Sequence, residues 1–243
     1  RRSSDLDVQA LISRKQDNAK AIENLQWLTT QSKAHLHVDL IAGLPGEDLN
    51  SFAQGFDKLW ATGAHEIQFG ILKRLRGTPI IRHTQPYAMR YLPHPPYTVM
   101  STQNVNFFEL QRMMRFARYW DMIANSGRFK STLALILDTQ PFARFMALSD
   151  ALYAQTGKTH AFALDALMDL VYRWLLEHSY ATKEHIETLL VQDFMATGAK
   201  GRLCFMTEGI STRHQNKNTG QAAPKRQQRH LGTTAEAATL TER

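Results

Sequence analysis

Two patterns of apolar and polar positions divide the chain. Between Ala34 and Lys73 two short stretches alternate with a period of two, whereas from Asn106 to about residue 197 apolar residues recur every three or four positions. Alternation places successive side chains on opposite faces of a strand; the longer spacing lines one face of a helix. The first alternating run, 34–42, puts His35, His37, Asp39 and Ile41 on one face and Leu36, Val38, Leu40 and Ala42 on the other. The second, 65–73, sets Glu66, Gln68 and Gly70 against Ile67, Phe69 and Ile71. Between them Gly43-Leu-Pro-Gly46 breaks the strand, Asp48 is placed to cap a helix running to about Ala61, and Gly63 suits its left-handed end. The strands start 31 residues apart with a helix between them, as in a right-handed βαβ unit of a parallel sheet.

The flanking sequence is helical on one side and broken on the other. Helices are expected over 5–14 and 17–31, the second capped by Asp17 and carrying Ala21, Ile22, Leu25 and Leu28 at helical spacing. Residues 76–100 hold Pro79, Pro86, Pro93, Pro95 and Pro96, so no regular element is expected there. Asn106 and Glu109 then have capping-box spacing. Leu110, Met113, Met114, Ala117, Trp120 and Ala124 form a core stripe behind them, ended by Asn125-Ser-Gly127. Further helices are expected at 129–137, 141–156, 163–179 and 183–197. Past about Met206 the sequence is rich in Thr, Gln, Ala, Asn and Arg without apolar periodicity, and disorder is expected.

Composition narrows the function classes. Of 243 residues 43% are apolar and 21% charged, enough to bury a substantial core. No apolar run approaches the roughly 20 residues of a membrane-spanning helix, so no membrane partner is expected. The net charge is +7, but residues 211–243 hold six basic residues against two acidic ones, leaving +3 on the remaining 210. That tail has no aromatic residues for base stacking and reads as a solvated segment rather than a nucleic-acid contact. Cys204 is the single cysteine and reads as an ordinary, partly buried one, so an intrachain disulfide and a multi-cysteine metal site are both excluded. The chain opens on Arg1-Arg2 with neither methionine nor an apolar leader, which fits part of a longer cytoplasmic polypeptide.

The polar strand faces carry the candidate chemistry. A closed eight-stranded barrel is filled by branched aliphatic residues. A face lined with His, Asp, Glu and Gln instead implies an open or partial barrel around a polar ligand. Ligands of parallel α/β folds bind at the carboxyl ends of the strands. Asp39, Gln68 and Gly70 face that way, and the Gly43–Gly46 loop sits above, although the same loop also reads as a plain tight turn. His35, His37, Asp39 and Glu66 have metal-ligand chemistry. Two histidines at i and i+2 are more often hydrogen-bonding residues of a barrel wall, so no metal ligand is assigned. His160, His178 and His185 are scattered surface or capping positions, and no catalytic residue is assigned.

The run His37-Val-Asp-Leu-Ile-Ala-Gly-Leu-Pro-Gly-Glu-Asp48 resembles the strand and loop late in the barrel of radical S-adenosylmethionine (SAM) enzymes, in the form seen in oxygen-independent coproporphyrinogen oxidases and cobalamin-binding members. The run Glu66-Ile-Gln-Phe-Gly-Ile-Leu-Lys-Arg-Leu-Arg-Gly-Thr-Pro79 resembles the next barrel strand of the cobalamin-binding group. Tyr91–Tyr97, Ser101-Thr102, Asn125-Ser-Gly-Arg-Phe129 and, more weakly, Gln192-Asp-Phe194 are similar to an uncharacterised helical domain that follows the barrel in one branch of that group.

The resemblance implies the C-terminal portion of a partial (β/α)6 barrel over 1–92, an all-helical domain over 93–205 and a disordered basic tail over 206–243. It implies that Ile41 and Leu72 pack on adenine, that Asp39 makes a polar contact to SAM or substrate, and that the Gly43-Leu44-Pro45 backbone closes over the adenosine. Gln68 and Gly70 complete the cofactor-binding set. The implied cofactors are SAM, a [4Fe–4S] cluster and cobalamin, with an electron donor as partner. The three cluster cysteines of a CxxxCxxC loop are missing from these residues, so the cluster and any cobalamin domain are expected to lie before Arg1. The alternative is a non-catalytic binding or interaction module built on a barrel remnant. Substrate, reaction and oligomeric state are not legible.

Overall fold

The computed structural model describes residues 17–206 together with Val8, Leu11 and Ile12. Most of the helix expected over 5–14, and the tail expected to be disordered, lie outside the described residues. Asp17 accepts the Lys20 N–H at 3.0 Å and starts α1 (Asn18–Gln31), as its position predicts. β1 (His37–Ala42), α2 (Leu49–Trp60) and β2 (Glu66–Ile71) follow, with the strands parallel. Asp48 caps α2 in a reciprocal box with Ser51.

Both strands are shorter than their alternating runs. In β1 the reason is its partner: the Glu66 N–H meets the Leu36 carbonyl, and the Leu36 N–H is taken by His65 Nδ1 at 3.2 Å instead of by a strand. The register sets His37 opposite Glu66, Asp39 opposite Gln68 and Ile41 opposite Gly70. Val38, Leu40, Ala42 and Ile67 are buried, while His37, Asp39 and Gln68 are exposed. Glu66 departs from its face, being only 1% exposed.

The proline-rich stretch holds short regular elements, contrary to expectation. Pro79 opens a 3₁₀ turn over Pro79–His83, where its missing N–H costs nothing. The other prolines flank β3 (Arg90–Tyr91) and β4 (Val99–Ser101), which pair antiparallel. The Val99 N–H donates to the Leu72 carbonyl at 2.9 Å, so β4 joins the end of β2. A boundary after residue 92 therefore falls between two paired strands.

Five helices follow: α3 (Phe107–Ile123), α4 (Leu133–Leu137), α5 (Pro141–Thr156), α6 (Leu164–His178) and α7 (Lys183–Ala196). The Asn106–Glu109 capping box forms as predicted. α4 begins four residues later than the expected 129, because Asp193 of α7 takes over the preceding turn. Its carboxylate accepts the Ser131 N–H (2.8 Å), the Thr132 N–H (2.9 Å) and the Thr132 hydroxyl (2.7 Å).

The helices do not form a core of their own. Phe52, Phe56 and Trp60 of α2, Phe69 of β2, Phe116 and Trp120 of α3, and Phe142 and Phe145 of α5 make one aromatic cluster, with linked ring centroids 4.8–5.8 Å apart. Such pairs contribute about 0.5–1.5 kcal/mol each beyond the area they bury. Arg112 of α3 adds a forked ion pair to Asp150 of α5, its shortest N–O distance 2.6 Å.

The two edges of the β1–β2 sheet differ. On the far edge of β2, Asn125 Oδ1 accepts the Ile67 N–H (3.3 Å) and Asn125 Nδ2 donates to the Ile67 carbonyl (3.0 Å). The Trp120 indole N–H donates to the same carbonyl at 2.9 Å. On the far edge of β1 no strand pairs among the described residues. No helix among them is long and apolar enough to cross a membrane.

Candidate functional site

A cleft of about 430 Å³ opens at the carboxyl ends of β1 and β2. Ile41, Leu44, Gly70 and Leu72, four of the residues singled out in the sequence, line it. Its construction follows from the register. Gly70 stands opposite Ile41 and has no side chain, so the half-buried Ile41 faces open space where a neighbour would otherwise cover it. The 3₁₀ turn forms another wall through Pro79 and Ile80, and Ile12 adds to the lining. Arg82 Nη2 donates to the Leu11 carbonyl at 2.9 Å, and His83 Nε2 lies 2.8 Å from the same oxygen, tying that segment to the rim.

Lys73, Thr78, Arg82 and His83 supply the polar side chains of an otherwise apolar lining. The volume falls within the ordinary range for small-molecule sites. The arrangement suits a ligand with a flat apolar part and an anionic part. A second hollow, about 550 Å³, shares Leu75, Thr78 and Pro79 with the cleft and continues to Arg74, Arg76 and Tyr97. The sequence reading missed Lys73, Arg82 and His83. The available signal was Pro79, which starts turns as readily as it breaks helices.

The remaining sequence-derived residues lie outside that lining. Asp39 and Gln68 are cross-strand partners one step further down the exposed face. Gly43 and Pro45 are buried. Gly43 has φ +82°, and a Cβ there would come within 2.6 Å of Val99 Cγ1. Its missing side chain makes room for Val99 of β4.

A different constellation occupies the amino ends of the strands. His37 Nδ1 lies 3.0 Å from Glu66 Oε2, and His35 Nε2 lies 3.3 Å from Glu66 Oε1. The three ligand-capable atoms fall within 4.8 Å of one another. His65 stacks beside His35 with ring centroids 4.8 Å apart.

Cys204 sits well apart from both sites in sequence and is exposed, where the expectation was partial burial. Desolvation, followed by the neighbouring Asp169 carboxylate, raises its thiol pKa above the ordinary value. That holds it away from the reactive thiolate. One cysteine cannot supply the thiolates that an iron–sulfur cluster needs, so these residues do not fit such a group.

Comparison with curated proteins finds no match for the chain. Residues 85–240, well over half of its length, match the family described as protein of unknown function (DUF4080), and the chain belongs to that family.

Proposed function

We propose that β1 and β2 are the last strands of a partial (β/α)6 barrel in a radical SAM enzyme of the cobalamin-binding group, with the DUF4080 region packed behind them. The asymmetry of the sheet carries this reading. Asn125 and Trp120 seal β2 as a terminal strand, while β1 has no strand on its other edge among the described residues. Parallel sheets are normally buried in larger assemblies, and a pair of parallel strands seldom stands alone. The open edge of β1 is where the earlier barrel strands would pair, and the exposed face of His37, Asp39 and Gln68 would then line the barrel interior.

The cleft fits SAM in part. Ile41 and Leu72 offer apolar walls for adenine, and Lys73, Arg82 and His83 provide cationic or hydrogen-bonding groups toward a carboxylate. In that family SAM supplies a carbon radical after reduction. The residues described here would bind and orient it and keep water from it. The cluster, its electron donor and the cobalamin would engage parts of the protein outside these residues. The reading leaves the substrate open, since similar barrels serve different reactions.

The reading frame immediately upstream of the Arg1 codon tests the proposal. A continuous frame encoding CxxxCxxC supports it. A start codon at or next to Arg1 would sink it and favour a binding module. Anaerobic iron–sulfur reconstitution of this chain alone is expected to leave no stable cluster absorption.

A further inference from the structure

We infer that His35, His37 and Glu66 form a binding site for a divalent transition cation, with Zn²⁺ the best match to the donor set. The site lies at the opposite end of the strands from the cleft, and the inference goes beyond the SAM reading without depending on it.

The sheet register builds the site. His35 and His37 stand two residues apart on an extended segment, so their imidazoles leave the same face. Glu66 is the direct cross-strand partner of His37 and presents one carboxylate oxygen to each ring. Tetrahedral zinc with bonds of about 2.0–2.1 Å holds its donor atoms roughly 3.4 Å apart. The two observed oxygen–nitrogen separations are 3.0 and 3.3 Å, and all three donors lie within 4.8 Å. Small side-chain rotations would bring them to bonding distance without moving the backbone.

Glu66 is 1% exposed, so both carboxylate oxygens meet imidazole nitrogens instead of bulk water, and one cation between the three side chains would bond to all of them. Imidazole nitrogen with carboxylate oxygen is a donor set suited to zinc. His37, at 39% exposure, leaves an open side for water as a fourth ligand. His65 plays a supporting part. Its Nδ1 accepts the Leu36 N–H, which fixes the ring beside His35. Because the ligands bridge β1 and β2 at their amino ends, the ion would staple the two strands together, away from the cleft.

The test titrates Zn²⁺ into the metal-free 243-residue chain against a competing chelator, and Co²⁺ as a visible probe. The wild type is expected to retain one Zn²⁺ and to show the intense absorption of low-coordinate Co²⁺. His37→Ala and Glu66→Gln should weaken Zn²⁺ by about 100-fold or more, since loss of a ligand exceeds loss of an outer-sphere partner. His160→Ala, on an exposed residue elsewhere, should leave affinity unchanged. If Glu66→Gln fails to fold, His37→Ala decides alone, because its side chain is the most exposed of the three. Equal weak affinity in wild type and His37→Ala, with the faint spectrum of six-coordinate Co²⁺ in both, would reduce the cluster to two imidazoles hydrogen-bonded to a carboxylate and overturn the inference.

Discussion

The side-chain amide of Asn125 pairs with both backbone polar groups of Ile67, occupying the place that a neighbouring strand would take. Ile67 is 1% exposed and Asn125 3%, so the amide makes these bonds away from bulk water. Asn125→Ala should therefore take from the buried Ile67 N–H its side-chain partner and cost about 1–3 kcal/mol. The Ile67 carbonyl would retain its bond from Trp120. Asn125→Asp should fare no better, since it turns an acceptor oxygen toward the Ile67 carbonyl. Urea unfolding measures both; a cost below about 0.5 kcal/mol for the alanine variant would refute the edge-sealing role.

Gly43 is constrained twice, by φ +82° and by Val99. Gly43→Ala should cost about 2–4 kcal/mol, combining left-handed strain with overpacking. Adding Val99→Ala should recover the overpacking part and leave about 1–2 kcal/mol of backbone strain, once the Val99 truncation is subtracted. A double-mutant cycle reads the coupling directly. Strict additivity would show that the two residues do not press on each other.

Gly70 is the converse case. A Cβ there meets only the Leu40 carbonyl oxygen at 3.8 Å, an ordinary contact. Gly70→Val should therefore fold normally and project its methyl groups into the cleft beside Ile41. On the proposed reading, SAM affinity of the cluster-loaded enzyme should fall roughly tenfold or more, at about 1.4 kcal/mol per tenfold. Calorimetric titration of SAM, with melting temperature as control, checks this. Unchanged affinity in a folded variant would remove the cleft from the SAM site.

Asp57 accepts the Phe142 N–H at 2.8 Å at the start of α5. Desolvation raises its pKa, and that hydrogen bond opposes the shift in part. The folded state then holds the Asp57 proton to higher pH than the unfolded chain does. The stabilising contribution of that proton is complete below the unfolded pKa and is lost as pH rises through the folded value. Asp57→Asn keeps an acceptor oxygen and removes the charge. It should be at least as stable as the wild type at pH 7, with its relative advantage shrinking toward about pH 4. Melting temperatures of the two proteins across that interval decide it, and a wild type clearly more stable at pH 7 would contradict the assignment.

Local rules made much of the architecture legible. Alternation assigned the buried faces of β1 and β2, and the caps at Asp17, Asp48 and Asn106 formed where their side chains allowed. What escaped depends on partners remote in sequence. Periodicity placed Glu66 on the polar face, but its burial depends on the two histidines that lie over it. Asn125 reads as a helix stop, and nothing local tells that its amide completes a strand edge 58 residues earlier. Asp193 sits inside a helix where propensity gives it no role, yet it caps a turn 61 residues away. In the site, strand alternation led to Gly70 and the family resemblance to Ile41 and Leu72. Lys73, Arg82 and His83 depended on how a proline-rich segment folds back.

The aromatic cluster shared by α2, β2, α3 and α5 bears on how this family can be recombined. A chimera that exchanged only the region after residue 92 with that of a relative would set foreign rings against Phe52, Phe56, Trp60 and Phe69. Mismatched shapes in a packed interior cost several kcal/mol, enough to prevent folding of a marginal domain. The natural cassette for transplantation therefore begins upstream of α2, and the helices travel with the strand they cover.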